Sequence, residues 1–265
     1  MSTYQTPSEI KEIYTKKNIV SEYDALRFEA PLPRMVHQAE VEEVNKYCQN
    51  KGLVDSVLEL AVGTGRVSKN VKNIRRGVAF DNSEEMLRYS GQILDPSVWK
   101  MMKGDAFNLP FESNFDLVYS FRFIRHFNVG ERQLLYKQIL KSLKPKGAFI
   151  FEALNLRAPV SVKERFGIGK ANIVDKPIYD ELWERESLLK ELDSAGFTNT
   201  VLVPVYRSSV VRYLDRIFSL TKFNHLAKKN KILGSIIVTL YSNIETVSSD
   251  KGNCFEWVVI CQKSG

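Results

Sequence analysis

Apolar residues follow two rhythms along this chain. From Asp55 onward, short apolar runs alternate with stretches whose apolar positions recur every three or four residues, the pattern of βα units around a sheet whose strands run parallel. The spacing predicts seven strands, at 56–60, 76–81, 99–103, 115–120, 147–154, 199–205 and 255–262. Helical patterns lie between them at 67–73, 83–92, 131–143 and 187–195, the last closing at Gly196, a residue suited to ending a helix. Around 143–147, Pro145 and Gly147 predict a helix stop and a turn before the fifth strand. Two further helical patterns, 8–17 and 35–50, precede the sheet, the second closing at Gly52. An insertion between the sixth and seventh strands repeats apolar residues at three and four: Val210, Leu214, Ile217 and Phe218, then Leu233, Ile236, Ile237, Leu240, Ile244 and Val247. This gives one domain over 1–265: a helical cap (1–54), a core (55–205), a helical insertion or lid (206–253) and a last strand (254–265).

Composition narrows the class without naming a chemistry. At 265 residues, 44% hydrophobic and 26% charged, the chain reads as a globular α/β protein, which excludes disordered, collagen-like and disulfide-stapled classes. No apolar stretch approaches the roughly 18 to 20 residues that span a bilayer, and 1–17 has neither signal-peptide nor transit-peptide character. The expected location is cytoplasmic. Three cysteines without a CxxC spacing, Cys48, Cys254 and Cys261, read as structural rather than as a disulfide or zinc framework. The net charge of +7 admits an anionic partner, and its position matters: 206–253 holds eight Lys or Arg against three acids, so +5 of the excess lies in the amphipathic insertion. A basic amphipathic segment suits a solvated lid, or peripheral contact with an anionic membrane surface.

Candidate chemistry concentrates at 57–66, VLELAVGTGR, where a strand runs into a loop with Gly63 and Gly65 and then a predicted helix. Backbone N–H groups and a helix N-terminus would face a ligand there, although two glycines after a strand also fit an ordinary tight turn. An acid, Asp81, ends the second strand, where acids of nucleotide-binding α/β folds accept from ribose hydroxyls. Ser83 then stands as a helix N-cap before Glu84 and Glu85. Lys103-Gly104-Asp105-Ala106 follows the third strand, and Phe115-Asp116-Leu117-Val118-Tyr119-Ser120 forms the fourth.

Taken together, these signals over about 56–154 resemble the class I S-adenosylmethionine-dependent methyltransferases, in particular the group that modifies small molecules and lipids. The resemblance implies a Rossmann-like, mostly parallel seven-stranded sheet with an antiparallel last strand and helices on both faces, and S-adenosylmethionine as cofactor. Residue by residue it implies that Glu59 orients the methionine amino group, with Ala61, in place of the usual first glycine, Gly63 and Gly65 in the loop beneath. It implies further that Asp81 holds the ribose, Asn82 and Met86 flank the adenine, Asp105 and the Ala106 backbone read its edge, and Phe121 borders the methionine end. Tyr23 and Arg27, in a segment similar to one that closes over the cofactor in relatives, would pair with its carboxylate; the same segment also fits a plain amphipathic surface helix. A dehydrogenase is disfavoured because Ser68 stands where a dinucleotide loop carries its third glycine. The 167–170 stretch lacks phosphate-loop spacing.

Methyl transfer from a sulfonium is an in-line displacement, and its main demand is placement of the nucleophile in a dry pocket. His126, just beyond the fourth strand, is the candidate catalytic base, or else it orders its own loop. Glu152 and Asn155 are candidates for polar acceptor contacts, and Tyr14, Tyr23 and Phe28 for apolar walls. His37 and His225 read as isolated surface or packing residues, and no metal site is expected. The favoured acceptor is a small molecule, with an apolar or lipid-like body as one form of it. An RNA methyltransferase and a non-catalytic methyltransferase-like binding subunit are the alternatives. Nucleic acid is disfavoured because no Asn-Pro-Pro-aromatic or Asp-Pro-Pro-aromatic motif follows the fourth strand and no RNA-binding signature is present. Oligomeric state is not legible in the sequence.

Overall fold

The computed structural model describes residues 5–14, 30–159, 179–220, 226–227, 229–247 and 254–265. The elements are α1 (Pro7–Tyr14), α2 (Pro31–Lys51), β1 (Val54–Leu60), β2 (Ile74–Asp81), α3 (Glu84–Ser90), β3 (Trp99–Lys103), β4 (Phe115–Ser120), α4 (Val129–Ser142), β5 (Leu143–Leu154), α5 (Arg185–Ala195), β6 (Phe197–Val205), α6 (Ser209–Leu220), α7 (Lys231–Val247) and β7 (Glu256–Lys263). Seven strands form one sheet in the order β3-β2-β1-β4-β5-β7-β6. β1 to β5 pair in parallel, while β7 runs antiparallel to both β5 and β6. This is the Rossmann-like arrangement expected, and it places a topological switch point between β1 and β4, where α/β folds leave a crevice at the carboxyl ends of their strands.

Both faces of the sheet are covered, which is why its strands read as nearly continuous apolar runs rather than as alternations. On one face Val57, Leu117, Tyr119, Ile150 and Val258 pack with Met35, Val36 and Val44 of α2 and Ile237 and Tyr241 of α7. On the other, Leu58, Val118, Phe149, Phe151 and Val259 pack with Leu135 and Ile139 of α4 and Leu188 and Leu192 of α5. Successive residues of β4 and β5 thus supply opposite cores, as period-two side chains must.

Helix ends follow the predicted chemistry in part. Ser83 caps α3 by accepting from the Met86 N–H, and Gly196 closes α5 at φ 99°, a left-handed conformation that glycine adopts without steric penalty. Two expectations fail. The helix at 67–73 is only a three-residue 3-10 turn, Ser68–Asn70, because Val71 is already extended and the side chain of Ser68 turns inward to Glu59. Nor is there a turn between α4 and the fifth strand: Leu143 leaves the helix in extended geometry and β5 begins at once. Pro145 disfavours helical geometry at Lys144. The bend appears instead inside the strand, with Lys146 at φ 63° and a register shift against β4 between Phe115 and Leu117.

Candidate active site

The carboxyl ends of β1 to β4 open into a cavity on which α1 also borders, through Pro7 and Ile10. On the β1–β3 side, three acids reach its wall, each from the end of a different strand. Glu59 of β1 is buried and accepts from the Ser68 hydroxyl, with the Tyr119 hydroxyl 3.5 Å away. Burial pushes its carboxyl up to about 8 against the lowering effect of Ser68. Asp81 ends β2; its two oxygens accept from the N–H groups of Gly63 (2.9 Å) and Ser83 (2.8 Å). Burial raises its pKa, and those backbone donors oppose the rise. Asp105, after β3, accepts from the Phe107 N–H at 3.0 Å.

The loop after β1 alternates left-handed residues, Ala61 at φ 59°, Gly63 at φ 53° and Gly65 at φ 74°. Gly63 faces open space, with nothing within 4 Å of where a Cβ would sit, so its backbone is bare toward the cavity. Gly65 does something else. It borders no part of the cavity and lies against α3 and the turn after it, where a Cβ would meet Ser90 Cβ at 3.0 Å and Leu94 at 3.3 Å.

The β4 side is cationic and held from a distance. Arg122, at φ 61°, borders the cavity; its N–H donates to Glu152 Oε1 at 2.6 Å and its guanidinium to Glu40 Oε1 of α2 at 3.1 Å. Glu40 Oε2 accepts from Arg66 at 3.1 Å, and Arg66 also meets His37 Nδ1. Burial alone would raise the Glu40 pKa, but Arg122 and Arg66 outweigh it and hold the carboxyl below its ordinary range. His37 is shifted down, chiefly by burial and then by Arg66. Behind this loop, Arg125 is fully buried against Asp180 at 2.8 Å, and its carbonyl accepts from the Glu181 N–H. His126 borders the cavity with Nδ1 2.8 Å from the Tyr179 carbonyl. A carbonyl only accepts, so Nδ1 carries the proton and Nε2 is the basic nitrogen of the neutral ring.

Of the residues singled out from sequence, Glu59, Ala61, Gly63, Asp81, Asn82, Met86, Asp105, Ala106, Phe121 and His126 all border this one cavity. Tyr23, Arg27, Phe28 and His225 lie outside the described residues, as does the side chain of Tyr14. Glu152 and Asn155 are not on the cavity wall. Glu152 is buried beneath Arg122, and Asn155 Nδ2 donates to the Cys254 carbonyl at 2.8 Å. His37 is no isolated surface residue but a member of the Arg66–Glu40 cluster. Sequence reading missed Arg66 and Arg122, although Arg66 directly follows Gly65. Among the described residues no group of three His, Cys, Asp or Glu side chains is arranged to hold a metal, and the three cysteines are buried thiols.

Residues 57–147 match the family model described as a methyltransferase domain. The chain carries a methyltransferase domain. That match covers β1 to the start of β5 and so contains the acids and the glycine loop just described. Solved methyltransferases share the fold well beyond it. A SAM-dependent methyltransferase from Thermotoga maritima superposes with a TM-score of 0.61 at 18% identity, over 96% of this chain and 99% of that one. The DhpI–SAH complex gives 0.60 at 16% identity over 98% and 99%. A phosphoethanolamine N-methyltransferase of Haemonchus contortus, in complex with S-adenosyl-L-methionine, gives 0.62 at 14% identity over 99% of this chain and 60% of that one. The search of curated proteins returned no match. The cavity of this methyltransferase domain therefore sits where the crevice of its fold belongs, with acids on one side and guanidinium groups on the other.

Proposed function

We infer that this protein is an S-adenosylmethionine-dependent methyltransferase acting on a small molecule, one with an apolar or lipid-like body. The observation that carries the reading is the row of carboxylates at the ends of β1, β2 and β3 beside the bare Gly63 backbone, all on one cavity. Such a row fits a ligand that presents an ammonium, a ribose and an exocyclic amine in sequence. Glu59 would take the ammonium, Asp81 the ribose hydroxyls and Asp105 the adenine amine, with Met86 and Ala106 along the ring. Arg66 and Arg122, which line the same cavity from its other side, suit the carboxylate. When bound, the cofactor supplies a methyl group on a sulfonium, open to in-line attack.

The chain's own part is placement and proton handling. Phe121, Phe123 and Phe127 give the β4 side an apolar wall, which excludes water and accepts an acceptor with an apolar body. Held through Nδ1 by Tyr179, His126 presents Nε2 as the base that takes the acceptor's proton as the nucleophile attacks. Asp180 Oδ1, 3.3 Å from Nδ1, stabilises the imidazolium that results. A reaction in the cytoplasm suits three buried thiols, and the basic insertion 206–253 suits contact with a membrane from which an apolar acceptor is drawn.

Titration calorimetry tests the cofactor half: saturable binding of S-adenosylmethionine is expected, and its absence overturns the reading. A screen of metabolite and lipid-precursor extracts with methyl-labelled cofactor then identifies the acceptor. With that acceptor, His126→Ala is expected to lower kcat about 100-fold at unchanged KM and to remove the acid limb of the pH–rate profile. An unchanged kcat removes His126 as the base.

A further inference from the structure

The two helices between β6 and β7 each carry a second apolar face. α7 packs one side on α2, so closely that a Cβ on Gly234 would sit 2.7 Å from Arg34 Nη1, and Tyr241 stacks on Phe218 of α6 at 6.2 Å. Its opposite side presents Ile232, Ile236 and Leu240, four residues apart and 75%, 60% and 44% exposed. α6 likewise exposes Val210, Tyr213 and Ile217, at 54%, 66% and 40%. Spacings of three and four keep each set on one side of its helix. Large apolar side chains exposed in runs rather than singly mark a surface that something else covers.

Charge says what covers it. Among the described residues of 206–247, the exposed charged side chains are Arg216, Lys229 and Lys231, all cationic. Asp215 is buried, and the Glu245 carboxylate is turned inward onto the N–H groups of Arg207 (2.5 Å) and Ser208 (2.9 Å). The face is thus apolar and positive, with its acids withdrawn. A second copy of the chain would bring the same cations against it, whereas an anionic lipid surface complements both features.

We propose that α6 and α7 form a docking face for an anionic bilayer surface, with Ile232, Ile236 and Leu240 entering the headgroup–acyl boundary and Arg216, Lys229 and Lys231 meeting lipid phosphates and carboxylates. The contact is peripheral: no described helix is long and apolar enough to cross a membrane. It deepens the proposed methyl transfer, and rests on that reading only in supplying an apolar acceptor, since the surface itself is independent of the cavity.

Co-sedimentation of the full chain with vesicles tests it, using phosphatidylcholine alone and phosphatidylcholine mixed with phosphatidylserine. Binding to the mixed vesicles is expected to exceed binding to phosphatidylcholine alone by about tenfold and to weaken in high salt. The double variant Ile232→Glu, Ile236→Glu should lose that binding by about tenfold or more; both positions are exposed, so circular dichroism and cofactor calorimetry should not change. Equal binding by parent and variant, or no binding by the parent, overturns the proposal. So does a concentration-dependent dimer in sedimentation equilibrium that the double variant abolishes, which assigns the face to a second copy. Because cofactor affinity is measured on the same samples, failure of the membrane contact and failure of the methyltransferase reading are told apart.

Discussion

The two sides of the cavity are built by different means. On the β1–β3 side, two of the three acids have a local donor: Asp81 accepts from Ser83 two residues on and Asp105 from Phe107 two residues on, and Ser83 caps the Met86 N–H three residues on, while Gly63 also donates to Asp81 and Glu59 draws on Ser68 and Tyr119. On the β4–β5 side polar groups are satisfied from far along the chain. Glu40 reaches Arg122 across 82 positions, Glu152 reaches the Arg122 backbone across 30, and His126 reaches Tyr179 across 53. Local capping makes Asp81 and Asp105 nearly independent parts. The second side is a network in which removing one member strands the others in a dry interior, where an unpaired charge is expensive.

Glu40 is the member whose loss shows this most. Glu40→Ala leaves Arg66 and Arg122 buried without their shared carboxylate, and breaking a buried pair in this way typically costs about 3–5 kcal/mol. Urea unfolding should show a loss of about 4 kcal/mol, partly restored by Glu40→Gln, which keeps the acceptor oxygen. A loss under about 1 kcal/mol would mean that water replaces the carboxylate and that the two sides are not as different as their geometry implies.

The next largest effect is a pH dependence. Burial raises Glu59 to about 8 and Glu152 to about 7, and lifts Glu256 well above its ordinary value, so each binds a proton in the folded state that the unfolded chain has released. Stability must therefore fall as pH rises from the ordinary carboxylate value, 4.5, through these folded values. Glu40 has the opposite shift: its contribution is present above its unfolded value, is lost only as pH falls through its depressed folded value, and stays constant in this window. Between pH 5 and 8 the unfolding free energy should drop, with His37, whose pKa is shifted down, opposing the fall only up to its ordinary value of 6.5. Glu152→Gln and Glu59→Gln should each flatten the curve. Saturating S-adenosylmethionine should cancel only the Glu59 part, since an ammonium beside Glu59 favours its ionised form. A slope that cofactor leaves wholly unchanged would place the ammonium elsewhere.

Asp81→Ala addresses the first side directly. If Asp81 accepts the ribose hydroxyls as proposed, its loss should weaken cofactor binding about 100-fold, near 2.7 kcal/mol, by calorimetry. The fold should survive, because the N–H groups of Gly63 and Ser83 border a cavity that water can enter. Unaltered affinity would break the assignment of the carboxylate row.

This division also explains what the sequence revealed. β3 and β4 begin and end where their apolar runs do, and Asp81 and Ser83 are legible because a strand-ending acid followed by a capping residue is short-range chemistry. Nothing in VGTGR says that Gly63 borders the cavity while Gly65 makes room for Ser90 and Leu94, since the helix that decides it lies some twenty residues on. The failed helix at 67–73 has a similar cause. Ser68 is drawn to Glu59 and Tyr119, partners that only the folded sheet brings near. Arg66 and Arg122 escaped notice, and His37 read as isolated, because their common partner, Glu40, sits on α2, in a segment that read as a covering helix.

The smallest expected effect separates folding from binding on the first side. Ser83 does two things: its hydroxyl caps α3 at the Met86 N–H, and its own N–H fixes Asp81 Oδ1. Ser83→Ala removes the first and keeps the second. Loss of such a cap costs about 1 kcal/mol, so urea unfolding should show that loss while cofactor affinity stays within about twofold. If affinity instead falls as far as in Asp81→Ala, the acid is held by the helix as a whole rather than by its neighbouring N–H, and the β1–β3 side is also a network.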